Sequence, residues 1–333
     1  DERGTETKFC NDNISVHWAV QSRRNKTRIL KSSQCQSKIE VIMKAAIFPG
    51  QGSQYVSMGS KLLENNPDNR KYMDIANAIL GFDLADVMIN GNVDDLKETK
   101  VTQPAVFLYS IIQYYNNSGS DDFGCYAGHS LGEITALVAS DCLTLEDGLG
   151  LVSKRAGAMQ LACEEQKSTM AAVLGLEDEQ VERICNEIDD VVVAANYNCP
   201  GQVVISGSIT GIEKAMEACK AAEARRVLPL LVGGAFHSPL MESAKESLSK
   251  AIAQLSFKVP RGPIFQNVDA LATTDPELIK QKLIAQLTSP VRWTQTMINM
   301  HQYGVKHFTE FGAKVLSGFV KRYDRSLPTE QYK

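Results

Sequence analysis

Residues 123–140 read FGCYAGHSLGEITALVAS. The first five form an apolar run of strand length, and residues 131–140 read as a helix. Between them Gly128-His129-Ser130-Leu131-Gly132 has the spacing G-x-S-x-G. A serine on a sharp strand-to-helix turn is forced into a strained backbone conformation with its hydroxyl in the open. The positions two before and two after it crowd each other, so both must be tiny. The helix that begins here aims free N–H groups at the site and favours negative charge there. The motif also occurs by chance, but the strand before it and the helix after it supply the required context. Ser130 is therefore the candidate nucleophile.

Outward from the motif, strands and helices alternate. Residues 44–49 (KAAIFP) read as a buried strand closed by Gly50-Gln51-Gly52, and helical patterns follow to about residue 117. Thr144-Leu145-Glu146-Asp147 has the shape of a capping box. A helix over 146–163 follows it, with Leu149, Val152, Ala156 and Met159 at spacings of three and four. Such alternation implies a mainly parallel sheet with helices on both faces. From Ser168 the rhythm changes. Strands are predicted over 170–175, 191–197, 202–207 and 226–232, helices over 177–188 and 209–224, and a turn over 198–201. The order β-α-β-β-α-β is the ferredoxin-like split unit. The expected fold class is thus α/β, with a parallel-sheet domain over 43–166 and 232–333 and a small ferredoxin-like unit inserted at 167–231.

The 333 residues carry a net charge of −4, with 44% hydrophobic and 22% charged residues, which suits a globular protein with a sizeable core. So small a charge gives no footprint for nucleic acid. No apolar run approaches the ~20 residues that span a bilayer, so no membrane insertion is expected. The eight cysteines include no C-x-x-C pair and none at ligand spacing from a histidine, which points to free thiols and no metal. Residues 1–42 differ from the rest. Residues 13–39 contain no acid, yet Arg23, Arg24, Lys26, Arg28, Lys31 and Lys38 fall there among serines. That is the composition of an organelle transit peptide, and the plastid stroma is its expected address. Without such an address the chain is expected in the cytoplasm.

A serine hydroxyl needs a base to become a good nucleophile. Of the five histidines, His17 lies in the leader, and His301 and His307 read as surface or packing residues. His129 adjoins the serine, but its side chain is expected to leave the elbow in a different direction. His237 remains, just after the strand predicted to end at Val232, and loops after sheet strands are where catalytic groups sit in α/β folds. The residues alone leave His237 open between a base and a satisfied polar side chain. They likewise leave Arg155, beside Lys154 on the 146–163 helix, as a solvated helix arginine.

Seven stretches, in order, resemble the malonyl-CoA:acyl-carrier-protein transacylase family. They are FPGQGSQ (48–54), TQPA (102–105), GHSLGE (128–133), NYNCPGQVVISG (196–207), GAFHSPLM (234–241), QLTSPVRW (286–293) and KVLSG (314–318). The resemblance implies an α/β-hydrolase-like domain carrying a ferredoxin-like subdomain. It implies Ser130 as nucleophile, His237 as general base, and Gln286 supplying the carbonyl that accepts the imidazole N–H. It places the oxyanion hole on the backbone N–H groups of Gln51 and Leu131, and the free malonyl carboxylate on Arg155. The substrates would be malonyl-CoA and holo-acyl carrier protein, joined through a malonyl-serine, in a monomer with no cofactor. Two rivals are an esterase, against which Arg155 and FPGQGSQ argue, and a non-catalytic carrier-binding module, against which intact Ser130, His237 and Arg155 argue. The sequence departs from the family pattern where Gly312-Ala313-Lys314 replaces a glycine-proline-glycine stretch and where Cys199 replaces a common serine. A short C-terminal tail is also expected to be missing.

Overall fold

The structure is a computed structural model, and it describes residues 42–117 and 123–332. The transit-peptide reading therefore lies, apart from Ile42, outside the described residues. The main sheet has six strands in the order β10-β9-β1-β2-β7-β8. These are β1 (Met43–Phe48), β2 (Phe123–Gly128), β7 (Ile264–Phe265), β8 (Ala272–Thr273), β9 (Val305–Glu310) and β10 (Thr329–Gln331). All pairs are parallel except β7 with β8.

Alternation along β1 explains its central place. Ala46 and Phe48 enter one hydrophobic cluster with Phe107, Ile111 and Leu137, while Ala45 and Ile47 enter a second with Phe265, Trp293 and Phe308. A strand buried on both faces must be apolar at every position, and residues 45–48 are all fully buried. The helix Thr99–Asn117 packs into the first cluster with almost its whole circumference covered.

The second sheet is antiparallel, in the order β4-β5-β3-β6, with β3 (Ser168–Leu174), β4 (Val192–Cys199), β5 (Gln202–Ser208) and β6 (Arg226–Pro229). Helices Asp178–Asn186 and Ile209–Ala221 cover it, burying Val181, Cys185, Ile212 and Cys219 against Val173 and Ile205. This is the β-α-β-β-α-β order of a ferredoxin-like unit. Two elements differ from expectation. β4 runs through Cys199, so the turn is only Pro200-Gly201, with Gly201 at φ 70°. β6 stops at Pro229; Leu230 N–H makes one last bond to Met170 O of β3 at 2.9 Å, and residues 231–232 leave the sheet although the apolar run imitates a strand. The small sheet is stitched to the 286–293 segment by Tyr197 N–H to Val291 O (2.9 Å) and Val291 N–H to Ala195 O (2.8 Å).

β2 and helix Leu131–Ala139 meet at Ser130, whose φ of 53° and ψ of −107° mark a sharp elbow. The crowding around it is quantitative. A Cβ on Gly128 would lie 1.9 Å from the Gly132 carbonyl, and one on Gly132 would lie 2.0 Å from Phe48 O. The elbow is thus wedged against the end of β1. Gly132→Ala is expected to destabilise the protein by at least the ~1–3 kcal/mol typical of overpacking. Gly150→Ala, in helix Leu145–Glu165 with nothing within 4 Å of the added methyl, is expected to stabilise by about 0.5–1 kcal/mol. Thermal unfolding of both variants checks the pair, and equal melting temperatures would contradict the packing.

Candidate active site

The elbow brings Ser130 Oγ to 2.7 Å from His237 Nε2. His237 lies in the loop after β6, itself at φ 59°, and is 4% exposed. Its Nδ1 lies 3.0 Å from the backbone carbonyl of Gln286. A carbonyl can only accept, so Nδ1 carries the proton and Nε2 presents a lone pair to the serine hydroxyl. Burial drives the His237 pKa down to about 3, and the neighbouring Arg155 charge pushes the same way. The imidazole is therefore neutral at neutral pH and free to take a proton.

Arg155 reaches the same point from helix Leu145–Glu165, and it is 1% exposed rather than solvated. Its Nη1 donates to Gln103 Oε1 (2.8 Å), and its Nη2 to Ser130 Oγ (2.9 Å) and Gln286 Oε1 (3.2 Å). Its Nε–H is buried with no acceptor. No carboxylate lies within ion-pair distance of it among the described residues. Burial lowers its pKa to about 10, opposed by the charge of Glu133, so it stays cationic at neutral pH. Glu133 is itself fully buried, and burial raises its pKa to about 7.

Ser130, His237, Arg155 and Gln51 line one cavity of about 120 Å³, walled by Met159, Met170, Leu230, Val232 and Phe236. The end of the 226–232 run, which is not strand, thus forms wall. Leu131 is the first residue of its helix, so its N–H has no intrahelical acceptor. Gln51 follows Gly50, where a Cβ would meet His129 O at 2.5 Å, so this loop presses directly on the elbow. Ser130's own N–H is already taken by Asn267 Oδ1 at 2.6 Å.

The His129 side chain leaves the elbow in a different direction from the serine, its Nε2 lying 2.9 Å from Asn198 Oδ1, and the residue is among those lining the cavity. Burial lowers its pKa to about 4, so it is neutral as well. His301 pairs with Tyr323 and His307 lies near Glu330, and neither lines the cavity. Sequence reasoning did not single out three polar side chains that shape the site: Gln103, Asn267 and the amide of Gln286. A partial signal for Gln103 existed, since it is one of the polar residues set into the largely apolar helix Thr99–Asn117, though buried Gln113 in the same helix shares it. Asn267 offered none, because its partners are far off in sequence.

The comparisons with known proteins agree on the family. A family model described as acyl transferase domain matches residues 46–314. The malonyl CoA-acyl carrier protein transacylase of Staphylococcus aureus (strain MW2) is 39% identical over 289 residues, covering 85% of this chain and 93% of the relative. A solved acyl-carrier-protein S-malonyltransferase from Burkholderia pseudomallei 1710b superposes with a TM-score of 0.83 at 38% identity, covering 87% of this chain and 96% of that one. A malonyl-transacylase solved in complex with a type II PKS acyl-carrier protein gives 0.84 at 35%, covering 87% and 95%. With a family model spanning most of its length and a relative matched over nearly its whole chain, this protein belongs to the malonyl-CoA:acyl-carrier-protein transacylases of the acyl transferase family.

Proposed function

We propose that this chain transfers the malonyl group of malonyl-CoA to the phosphopantetheine thiol of holo-acyl carrier protein through a malonyl ester on Ser130. The observation that carries the reading is the Arg155 guanidinium, buried, cationic, held only by neutral groups and 2.9 Å from the serine oxygen. A guanidinium and a carboxylate match as planar forks, and burial strengthens their pairing. An esterase has no use for such a group.

In the first half-reaction Ser130 gives its proton to His237 Nε2 and its oxygen attacks the thioester carbonyl. The oxyanion accepts hydrogen bonds from the N–H groups of Gln51 and Leu131. The carbonyl re-forms, the C–S bond breaks, and the thiolate of coenzyme A leaves with the proton from His237. The malonyl ester stays on Ser130 with its carboxylate on Arg155, where the unpaired Nε–H gains an acceptor. In the second half the carrier thiol gives its proton to His237 and attacks the ester, and Ser130 recovers a proton as it leaves. Pairing also tunes the base. The bare Arg155 charge depresses the His237 pKa, so a carboxylate on Arg155 raises the histidine's proton affinity when it must accept one.

The relative solved with an acyl-carrier protein supports the choice of acceptor. Met170, Asn196 and Leu230 on the cavity wall support reading 167–231 as a subdomain that closes the site over a catalytic domain of 43–166 and 232–333. The basic, acid-poor run over 13–39 supports delivery to a plastid. No helix among the described residues is long and apolar enough to cross a membrane.

Ser130→Ala is expected to abolish the malonyl mass adduct formed with malonyl-CoA and to lower kcat by roughly 10³ or more. An adduct that persists on the folded variant would remove Ser130 from the mechanism. Arg155→Ala tests the substrate. Breaking a buried pair costs about 3–5 kcal/mol, less with partial solvation, so kcat/KM for malonyl-CoA should fall by roughly 10² to 10³. Acetyl-CoA has no carboxylate to strand, and its transfer should hold or rise. Equal losses on both substrates would make Arg155 a structural residue.

A further inference from the structure

Ser130 occupies a backbone conformation, φ 53° and ψ −107°, that an L-residue holds only under constraint. Strain of this kind persists only where the surroundings over-determine it. The glycine contacts supply steric confinement, and backbone bonds act on each peptide beside His129 singly, His129 N–H donating to Phe48 O and Gly132 N–H to His129 O, both at 2.9 Å. One side chain ties the two peptides to each other. Asn267 Oδ1 accepts the Ser130 N–H at 2.6 Å, and Asn267 Nδ2 donates to Gly128 O at 2.7 Å. A backbone N–H and a backbone carbonyl can be met in only one orientation of the amide, so this bridge is chemically fixed.

The bridge is itself anchored. Asn267 N–H donates to Glu133 Oε2 at 2.7 Å, and its carbonyl accepts from Arg292 N–H at 3.0 Å. Glu133 stands one turn into the helix that Ser130 starts, and its other oxygen accepts from Gln266 Nε2 at 3.2 Å. The ring closes from Ser130 through the helix to Glu133, through Asn267, and back to Ser130. Asn267 and Glu133 are both fully buried.

Resting on the transfer mechanism above, we propose that Asn267, anchored by Glu133, is a positioning residue that holds the Ser130 elbow in its reactive conformation and keeps the Ser130 N–H out of the oxyanion hole. Without the bridge the elbow relaxes and Oγ moves off His237 Nε2. Asn267 does not itself line the cavity and is not among the hydrogen-bond partners of Arg155, so recognition of the malonyl carboxylate does not pass through it.

Asn267→Ala therefore separates rate from binding. Single-turnover acylation by malonyl-CoA should slow by about 10²-fold, the scale of a 1 Å misplacement of a reacting group, while KM for malonyl-CoA and the malonyl-over-acetyl preference stay near wild type. An unchanged acylation rate, or a loss carried by KM, overturns the proposal. If the variant does not fold, the wild-type Ser130 amide decides. Slow hydrogen exchange, as for a buried bonded N–H, supports the bridge, and exchange at the rate of an exposed turn amide overturns it. A wild-type protein that forms no malonyl adduct would sink the transfer mechanism itself. An adduct on wild type with an unaffected Asn267→Ala variant sinks the positioning role alone.

Discussion

A positive charge buried at Arg155, 1% exposed and without a carboxylate at ion-pair distance among the described residues, is an expensive feature for a protein core. Two glutamine amides make it tolerable. Gln103 and Gln286 each aim a side-chain oxygen at the guanidinium. Gln286 does more than this, since its Nε2 also donates to Ser130 O at 3.1 Å and its carbonyl accepts from His237. One residue therefore ties the cation, the serine and the imidazole together. The same charge helps keep His237 neutral, so the imidazole and the cation are parts of one electrostatic arrangement.

The fold exists to hold that arrangement still. β2 aims the serine, β1 ends close enough to leave no room for a methyl group on Gly132, and the Gly132 carbonyl in turn leaves none on Gly128. The Gln51 loop comes from the end of β1, His237 from the loop after the small sheet, and Gln286 from the short turn after helix Pro276–Ala285. Bonds between β4 and Val291 lock the small sheet to the segment that carries Gln286. Groups more than 150 residues apart in sequence thus converge on Ser130 Oγ and its backbone.

Much of the fold was legible because its main elements obey simple periods. Residues 45–48 and 123–128 are apolar throughout, as strand segments buried on both faces must be, and β-α-β-β-α-β follows from alternating patterns with a Pro-Gly turn. The short strands β7, β8 and β10 carry two or three residues each and leave no period to read. Residues 230–232 imitate a strand because cavity walls and sheet interiors call for the same side chains. At the site, the elbow is written locally in its glycines. Asn267 and Gln103 are not, since an amide's partners depend on which distant backbone groups the fold leaves unpaired. Arg155 shows the same limit. Its pattern is that of an ordinary helix arginine, and only tertiary packing removes it from water.

In the proposed mechanism a serine beside a buried cation accepts acyl groups that bring their own negative charge. Its most direct test is intact-mass and peptide-mapping analysis of the wild-type protein after brief exposure to malonyl-CoA or acetyl-CoA, with no carrier protein present. One malonyl group per chain is expected, on the peptide containing Ser130, with little acetylation over the same time. Equal labelling by both donors, or malonylation at another residue, would contradict it.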